Sequence, residues 1–239
     1  MNSMNESIGK KIFASISKYP AVKPDGHAGP LRDTEKMFLS HSNQKLFMHV
    51  SNNPCTWLRR LSRETAFSPA KTDRLLGLLT RYGLVMAIRS GNREMYMLPG
   101  MVEAPDIGTV CLLNDPDARK MILLVQEKPG ITCRGISSAT GIPFSTVKRH
   151  VKRLCDAGLG ETVRDGRSHR LFTTEKTEYL YQKYARRRHM FLNSLLSSMR
   201  NADLKVRIES TIGQKVMLQL RLGRESVSLL INTNPITKI

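Results

Sequence analysis

Apolar residues recur at helical spacing in three parts of the chain and alternate at strand spacing in a fourth. In the stretch 130–174, Val147, Val151 and Leu154 share one stripe of a helix. That helix starts at Pro143 or Phe144 and ends at Ala157-Gly158-Leu159, a glycine stop with an apolar anchor. A shorter helix precedes it: Thr132 is its cap, it ends near Thr140, and Gly141 supplies the left-handed residue of a tight turn. Lys148, Arg149, Lys152 and Arg153 fall off the apolar stripe, so the second helix is cationic on its outer side. Two short strands follow around Asp165-Gly166, a dipeptide favoured in two-residue hairpins, and they carry Arg164, Arg167, His169 and Arg170.

The same organisation recurs upstream. Sliding the sequence by 75 positions places Val50 on Val125, Pro54 on Pro129, Arg74 on Arg149, Leu79 on Leu154, Gly83-Leu84 on Gly158-Leu159 and Gly91 on Gly166. Matches at helix stops and turn glycines are those a shared backbone requires, so the spacing predicts a tandem duplication. Ser68-Pro69 marks the start of the first copy's second helix, which has Leu75, Leu76 and Leu79 inside and Lys71, Arg74 and Arg81 outside. Ser90-Gly91-Asn92 turns its hairpin, flanked by Arg89 and Arg93. Where the second copy has Lys148, Lys152 and Arg153, the first has Asp73, Gly77 and Leu78, so its exposed helix face is expected to be the weaker partner for a polyanion.

Outside the copies, residues 1–32 are expected to form an N-terminal arm, with a short helix over 6–18 broken by the prolines and glycines that follow. The copies span 33–100 and 115–174, with 101–114 as linker. Leu180, Tyr184, Phe191, Leu195 and Met199 predict one long helix over 175–200. Its apolar side is longer than a small domain covers, which points to a homodimer; the rival is closure of that side onto the first copy or the C-terminal segment. In 201–239 the alternation of Leu204, Val206 and Ile208, then Val216, Leu218 and Leu220, then Val227, Leu229 and Ile231 predicts a three-stranded meander turning at Gly213 and Gly223. The fold class expected is thus mainly α with small β wings.

A net charge of +18 over 239 residues adds a partner to this picture, because such an excess favours a polyanion. No apolar run reaches the length of a membrane span and no secretory signal is legible, so the protein is expected in the cytoplasm, associated with the nucleoid and not with a membrane. Cys55, Cys111, Cys133 and Cys155 show no Cys-x-x-Cys pair and no His at ligand spacing; they read as small apolar residues in a reducing compartment, and no metal or cofactor is expected. Phosphate-loop, His-Glu-x-x-His and Gly-x-Ser-x-Gly motifs are missing, so no catalytic residue is assigned and the chain reads as a non-enzyme. His150 and His169 are expected on the cationic helix and the hairpin of a polyanion-facing module, not as metal ligands.

The run Gly141-Ile142-Pro143-Phe144-Ser145-Thr146-Val147-Lys148-Arg149-His150-Val151-Lys152-Arg153-Leu154, then Ala157-Gly158-Leu159, then Asp165-Gly166-Arg167, resembles a winged helix-turn-helix of the MarR, ArsR and IclR regulator kind. The resemblance implies a transcriptional regulator that reads double-stranded DNA. The second helix of each copy would enter the major groove and the wing would lie along the backbone or adjacent minor groove. It puts Lys148, Arg149, Lys152 and Arg153 near bases or groove walls, Ser145 and Thr146 on phosphate or a base edge, and Arg164, Arg167 and Arg170 on phosphate. In the first copy Lys71, Arg74, Arg89 and Arg93 take the matching places. The transcription machinery is a further expected partner. The alternative is a winged-helix interaction module in a nucleic-acid-processing or transcription assembly, binding nucleic acid without sequence preference.

Overall fold

The computed structural model describes residues 32–90 and 93–236. The expected N-terminal arm helix over 6–18 and the tip of the first hairpin at Gly91-Asn92 lie outside the described residues. The described residues divide into two compact units, one of those up to Pro105 together with Ala185–Pro235, the other of Asp106–Tyr184 together with Ile236.

In the first unit, α1 (Asp33–Leu39) and α2 (His41–Asn52) lead to α3 (Leu58–Thr65), α4 (Pro69–Arg81) and the hairpin β1 (Met86–Ser90) and β2 (Arg93–Met97). Ser68 caps α4 by accepting the Lys71 N–H at 3.2 Å, with Pro69 at the first helical position. Phe38, Leu46, Phe47, Leu61, Leu76, Leu79 and Ile88 are fully buried and make the core.

In the second unit, α5 (Ile107–Leu113) and α6 (Pro116–Glu127) precede β3 (Ile131–Thr132), α7 (Cys133–Thr140), α8 (Phe144–Asp156), β4 (Gly160–Asp165), β5 (Ser168–Thr173) and α9 (Lys176–Arg186). The sheet order is β3-β5-β4. Thr132 caps α7 through the Gly135 N–H, and Gly141 ends it at φ +72°. The segment 101–114, expected as a plain linker, carries α5, whose Ile107, Val110, Leu112 and Leu113 are all buried.

One offset relates the two units' elements. Helices α2, α3 and α4 start and stop 75 positions before α6, α7 and α8 respectively, as His41 and Pro116, Leu58 and Cys133, and Pro69 and Phe144 show. The strand register follows it: Arg89 faces Glu94 and Arg164 faces His169. Even the isolated bridge between Thr56 and Tyr96 has its counterpart in the pairing of Ile131 with Leu171.

The single helix expected over 175–200 is interrupted. Helix α9 ends at Arg186, Arg187 sits at ψ 1°, and α10 runs Arg188–Asn201. Neither Gly nor Pro marks the break. The bonds of each half explain it: Lys183 and Tyr184 both donate to Asp106 Oδ2 at 2.7 Å in the second unit, while Arg187 pairs with Glu103 at 2.8 Å in the first.

The strands β6 (Lys205–Ile212), β7 (Lys215–Leu222) and β8 (Glu225–Asn232) form an antiparallel sheet in that order, with a bulge between Ile208 and Ser210. They belong to the first unit, where β7 packs on α1, β8 on α2 and β6 on α10. Phe191, Leu192, Leu195 and Met199 of α10 are buried, so the apolar side that pointed to a homodimer is covered within the chain. Cys133 and Cys155 are free thiols.

Candidate nucleic-acid interface

The α8 helix presents two faces of opposite chemistry. Val147, Val151 and Leu154 are buried, and Ser145, Lys148, Arg149, Lys152 and Arg153 are exposed. Residues three and four apart are neighbours on a helix, so Ser145, Lys148, Arg149 and Lys152 form one patch with Arg153 beside it. Lys148 Nζ lies 5.0 Å from the centre of the Phe144 ring, itself 40% exposed, which holds one cation over an aromatic face at the start of the helix. Arg149, Lys152 and Arg153 make no ion pair among the described residues. Thr146 is half-buried.

In the wing, Asp165 pairs with Ser168, so the two loop residues are Gly166 and Arg167, one position later than the sequence suggests. Gly166 takes φ +57°, where a side chain is strained. Arg167 is exposed at the tip, and Arg164 Nε donates to the Gly166 carbonyl at 3.3 Å. Arg170 is engaged inside the domain: it donates to Asp165 Oδ2 at 2.5 Å and to the Gly130 carbonyl at 3.2 Å, fastening the hairpin to the turn before β3.

The first unit's counterpart is more self-occupied. Lys71 Nζ sits 4.2 Å from the Phe67 ring centre, and the guanidinium of Arg93 lies 5.0 Å from that of Trp57. Arg74 and Arg89 are exposed, but so is Asp73 between Lys71 and Arg74, and Gly77 leaves the next turn bare. Arg59 and Arg63 are further exposed cations, on α3, that the resemblance does not single out; their spacing of four residues is the signal the sequence carries for them.

His150 lies on α8, as expected, but on its buried side: it is 3% exposed and completes the buried stripe. Its Nε2 lies 4.0 Å from Asp115 Oδ1, and its Nδ1 has no hydrogen-bond partner among the described residues. With Asp117, these groups offer ligand atoms within 4.8 Å of one another. Asp115 Oδ1, however, already accepts the Asp117 and Ala118 N–H groups as the cap of α6, so the cluster reads as the polar setting of a core imidazole. Burial pushes the His150 pKa below its usual 6.5; Asp115 and Asp117 pull it up, while Arg153 and Arg149 add to the lowering.

A folded pKa below the unfolded one means that the unfolded chain binds more protons as pH falls below 6.5. His150 therefore subtracts stability on acidification and is neutral in the native state above that pH. Leu75 occupies the equivalent place in α4. The variant His150→Leu is expected to flatten the acid side of a Tm-against-pH curve, and an undiminished fall below pH 6.5 in that variant would assign it to other groups. Burial likewise raises the Cys133 and Cys155 pKa values.

Residues 118–159, from α6 through α8, match the winged helix-turn-helix DNA-binding family model. An uncharacterized HTH-type transcriptional regulator of Methanocaldococcus jannaschii is 25% identical over 167 residues, which are 70% of this chain and 42% of that protein. The chain thus spans well under half the length of that curated relative. Solved structures with partial likeness include a MarR transcriptional regulator from Methanosarcina mazei Go1, 20% identical, with a TM-score of 0.26 over 60% of this chain and 88% of that one. The mRNA-binding domain of elongation factor SelB from E. coli, in complex with SECIS RNA, is 18% identical, with a TM-score of 0.24 over 56% of this chain and 98% of that one. T. acidophilum IdeR is 12% identical, with a TM-score of 0.20 over 81% and 97%. No described helix is long and apolar enough to cross a membrane.

Proposed function

We propose that this chain is a regulator of transcription that binds double-stranded DNA, with α8 as its chief recognition helix. The observation that carries the reading is the exposed, unpaired cationic face of α8, set inside the stretch that matches a DNA-binding family. Lys148, Arg149, Lys152 and Arg153 face bases or groove walls, Ser145 and Thr146 bond phosphate or a base edge, and Arg164 and Arg167 hold the backbone from the wing. Arg170 serves by fastening the wing. Lys71, Arg74, Arg89 and Arg93 make the lesser contacts of a second reader that arose by duplication of one unit, a history supported by the common offset of 75 between their elements.

Selection of bound sequences from a random duplex pool tests the reading. A defined motif is expected, and enrichment of nothing, with equal affinity for unrelated duplexes, would instead favour the interaction module with nonspecific binding. The weaker charge of α4 favours that second role for the first unit.

The wing supplies a separate check. Gly166→Val puts a β-branched residue at φ +57°, a strain of about 1–3 kcal/mol, without removing any charge. Nothing lies within 4 Å of the position a Cβ would take, so the effect is one of backbone torsion alone. Weaker duplex binding with an unchanged helical circular dichroism spectrum is expected; full affinity would place the wing off the DNA.

A further inference from the structure

The outer face of the C-terminal sheet carries charge that folding does not explain. In the register of β6 with β7, Lys205 is directly opposite Arg221, and Arg207 is directly opposite Gln219. Like charges directly opposite in a ladder destabilise the sheet, so the Lys205 and Arg221 pair works against the fold it sits in. Arg224, in the β7–β8 turn, and Arg200, near the end of α10, join them around a groove of about 850 Å³, which Arg32 also lines. All six cations are exposed. Of the two acids in the lining, Asp203 is taken by an ion pair with Arg32, and Glu225 pairs with none of the cations. Arg200, Lys205, Arg207, Arg221 and Arg224 are thus without an ion-pair partner among the described residues. Arg207 is also held in place, its Nε donating to Gln219 Oε1 at 2.7 Å.

A small-molecule pocket is mostly apolar with a few polar groups, whereas half of the residues lining this groove are cations. Uncompensated cations along an open surface suit a chain of phosphates, the polyanion that the +18 charge of the whole protein calls for. We infer that the groove between β6, the β7–β8 turn and the end of α10 is a second nucleic-acid contact, binding the phosphate backbone of DNA without reading bases. It rests on the proposal of DNA binding above and adds a surface that belongs to neither winged-helix copy. Its contribution is affinity and not sequence choice, since positioning contacts carry no sequence information.

The test uses the full chain and a fluorescently labelled mixed-sequence DNA duplex, titrated over a range of KCl concentrations. Removing a cation that neutralises one phosphate lowers the slope of log affinity against log salt by about 0.9, so Arg207→Ala, Arg221→Ala, Arg224→Ala together should lower it by roughly 2–3. Lysine at the same three positions should restore most of the slope, because phosphate is bound here by charge. Arg224→Ala alone, in an exposed turn, should cost about one unit and guards against a triple variant that fails to fold. An unchanged slope in the folded variants overturns the inference, whether or not they lose binding to phosphatidylglycerol vesicles. The two proposals fail separately: if Lys148→Ala, Arg149→Ala, Lys152→Ala leaves binding intact while the groove variants weaken it, the winged-helix reading falls and the groove stands.

Discussion

Alanine at Lys148, Arg149 and Lys152 is expected to weaken DNA binding far more than alanine at Lys71, Arg74 and Arg81. The three α8 cations stand exposed on one face and have no acidic partner among the described residues. On α4, Lys71 is folded over Phe67, Asp73 subtracts a charge, and Gly77 replaces the next cation. Where an α8 cation touches phosphate, its removal lowers the salt slope by about one unit; where it touches a base, specificity relaxes by about 1–3 kcal/mol at that position. Fluorescence anisotropy over a salt series, on selected and unrelated duplexes, separates the two. Equal weakening by both triple variants would refute the asymmetry and give the first unit an equal share in the interface.

The second large effect concerns α10. Leu192→Glu with Leu195→Glu is expected to unfold the first unit, because both side chains are buried where α10 meets the rest of that unit. Truncating one such leucine to alanine already costs about 2–5 kcal/mol, and two buried carboxylates add their desolvation. Against a typical total stability of about 5–15 kcal/mol, that is enough to melt the unit. Far-ultraviolet circular dichroism with light scattering decides: loss of helix and aggregation are expected, from a parent protein that is monomeric at micromolar concentration. A variant that stays folded while a parent dimer dissociates would return the face to an interface between copies.

What is legible in the sequence follows local chemistry. Ser68-Pro69, Thr132, Gly141 and Gly158 fix where helices begin and end through groups a few residues away, and α4, α7 and α8 stop and start at them. The cationic face of α8 is legible for the same reason, since a helix period sorts Lys148 and Lys152 from Val147 and Val151. His150 is not, because a polar residue on an apolar stripe is sorted by what lies across the core, here Asp115 and Asp117, and not by its neighbours in sequence. Nor is the break at Arg187: three consecutive arginines favour helix, and ties to Asp106 and Glu103 from two separate units decide otherwise. The groove stays hidden in the sequence because Lys205 and Arg221 become neighbours only once the register of β6 and β7 is set. Charge at alternate strand positions is its one local trace.

The first unit is discontinuous in sequence, closed by residues 185–235 after the whole of 106–184 has intervened. On a ribosome this inverts the order of completion. Helices α1 and α2 emerge well before β7 and β8, their packing partners, and wait for them. The second unit, a nearly continuous stretch, can finish folding as soon as it clears the exit, in keeping with domains folding as units during synthesis. Until those strands arrive, the apolar sides of α1 and α2 that meet them stay open to solvent, and to chaperones. A nascent chain arrested just short of residue 205 should therefore hold a protease-resistant second unit beside a first unit that is still cleavable.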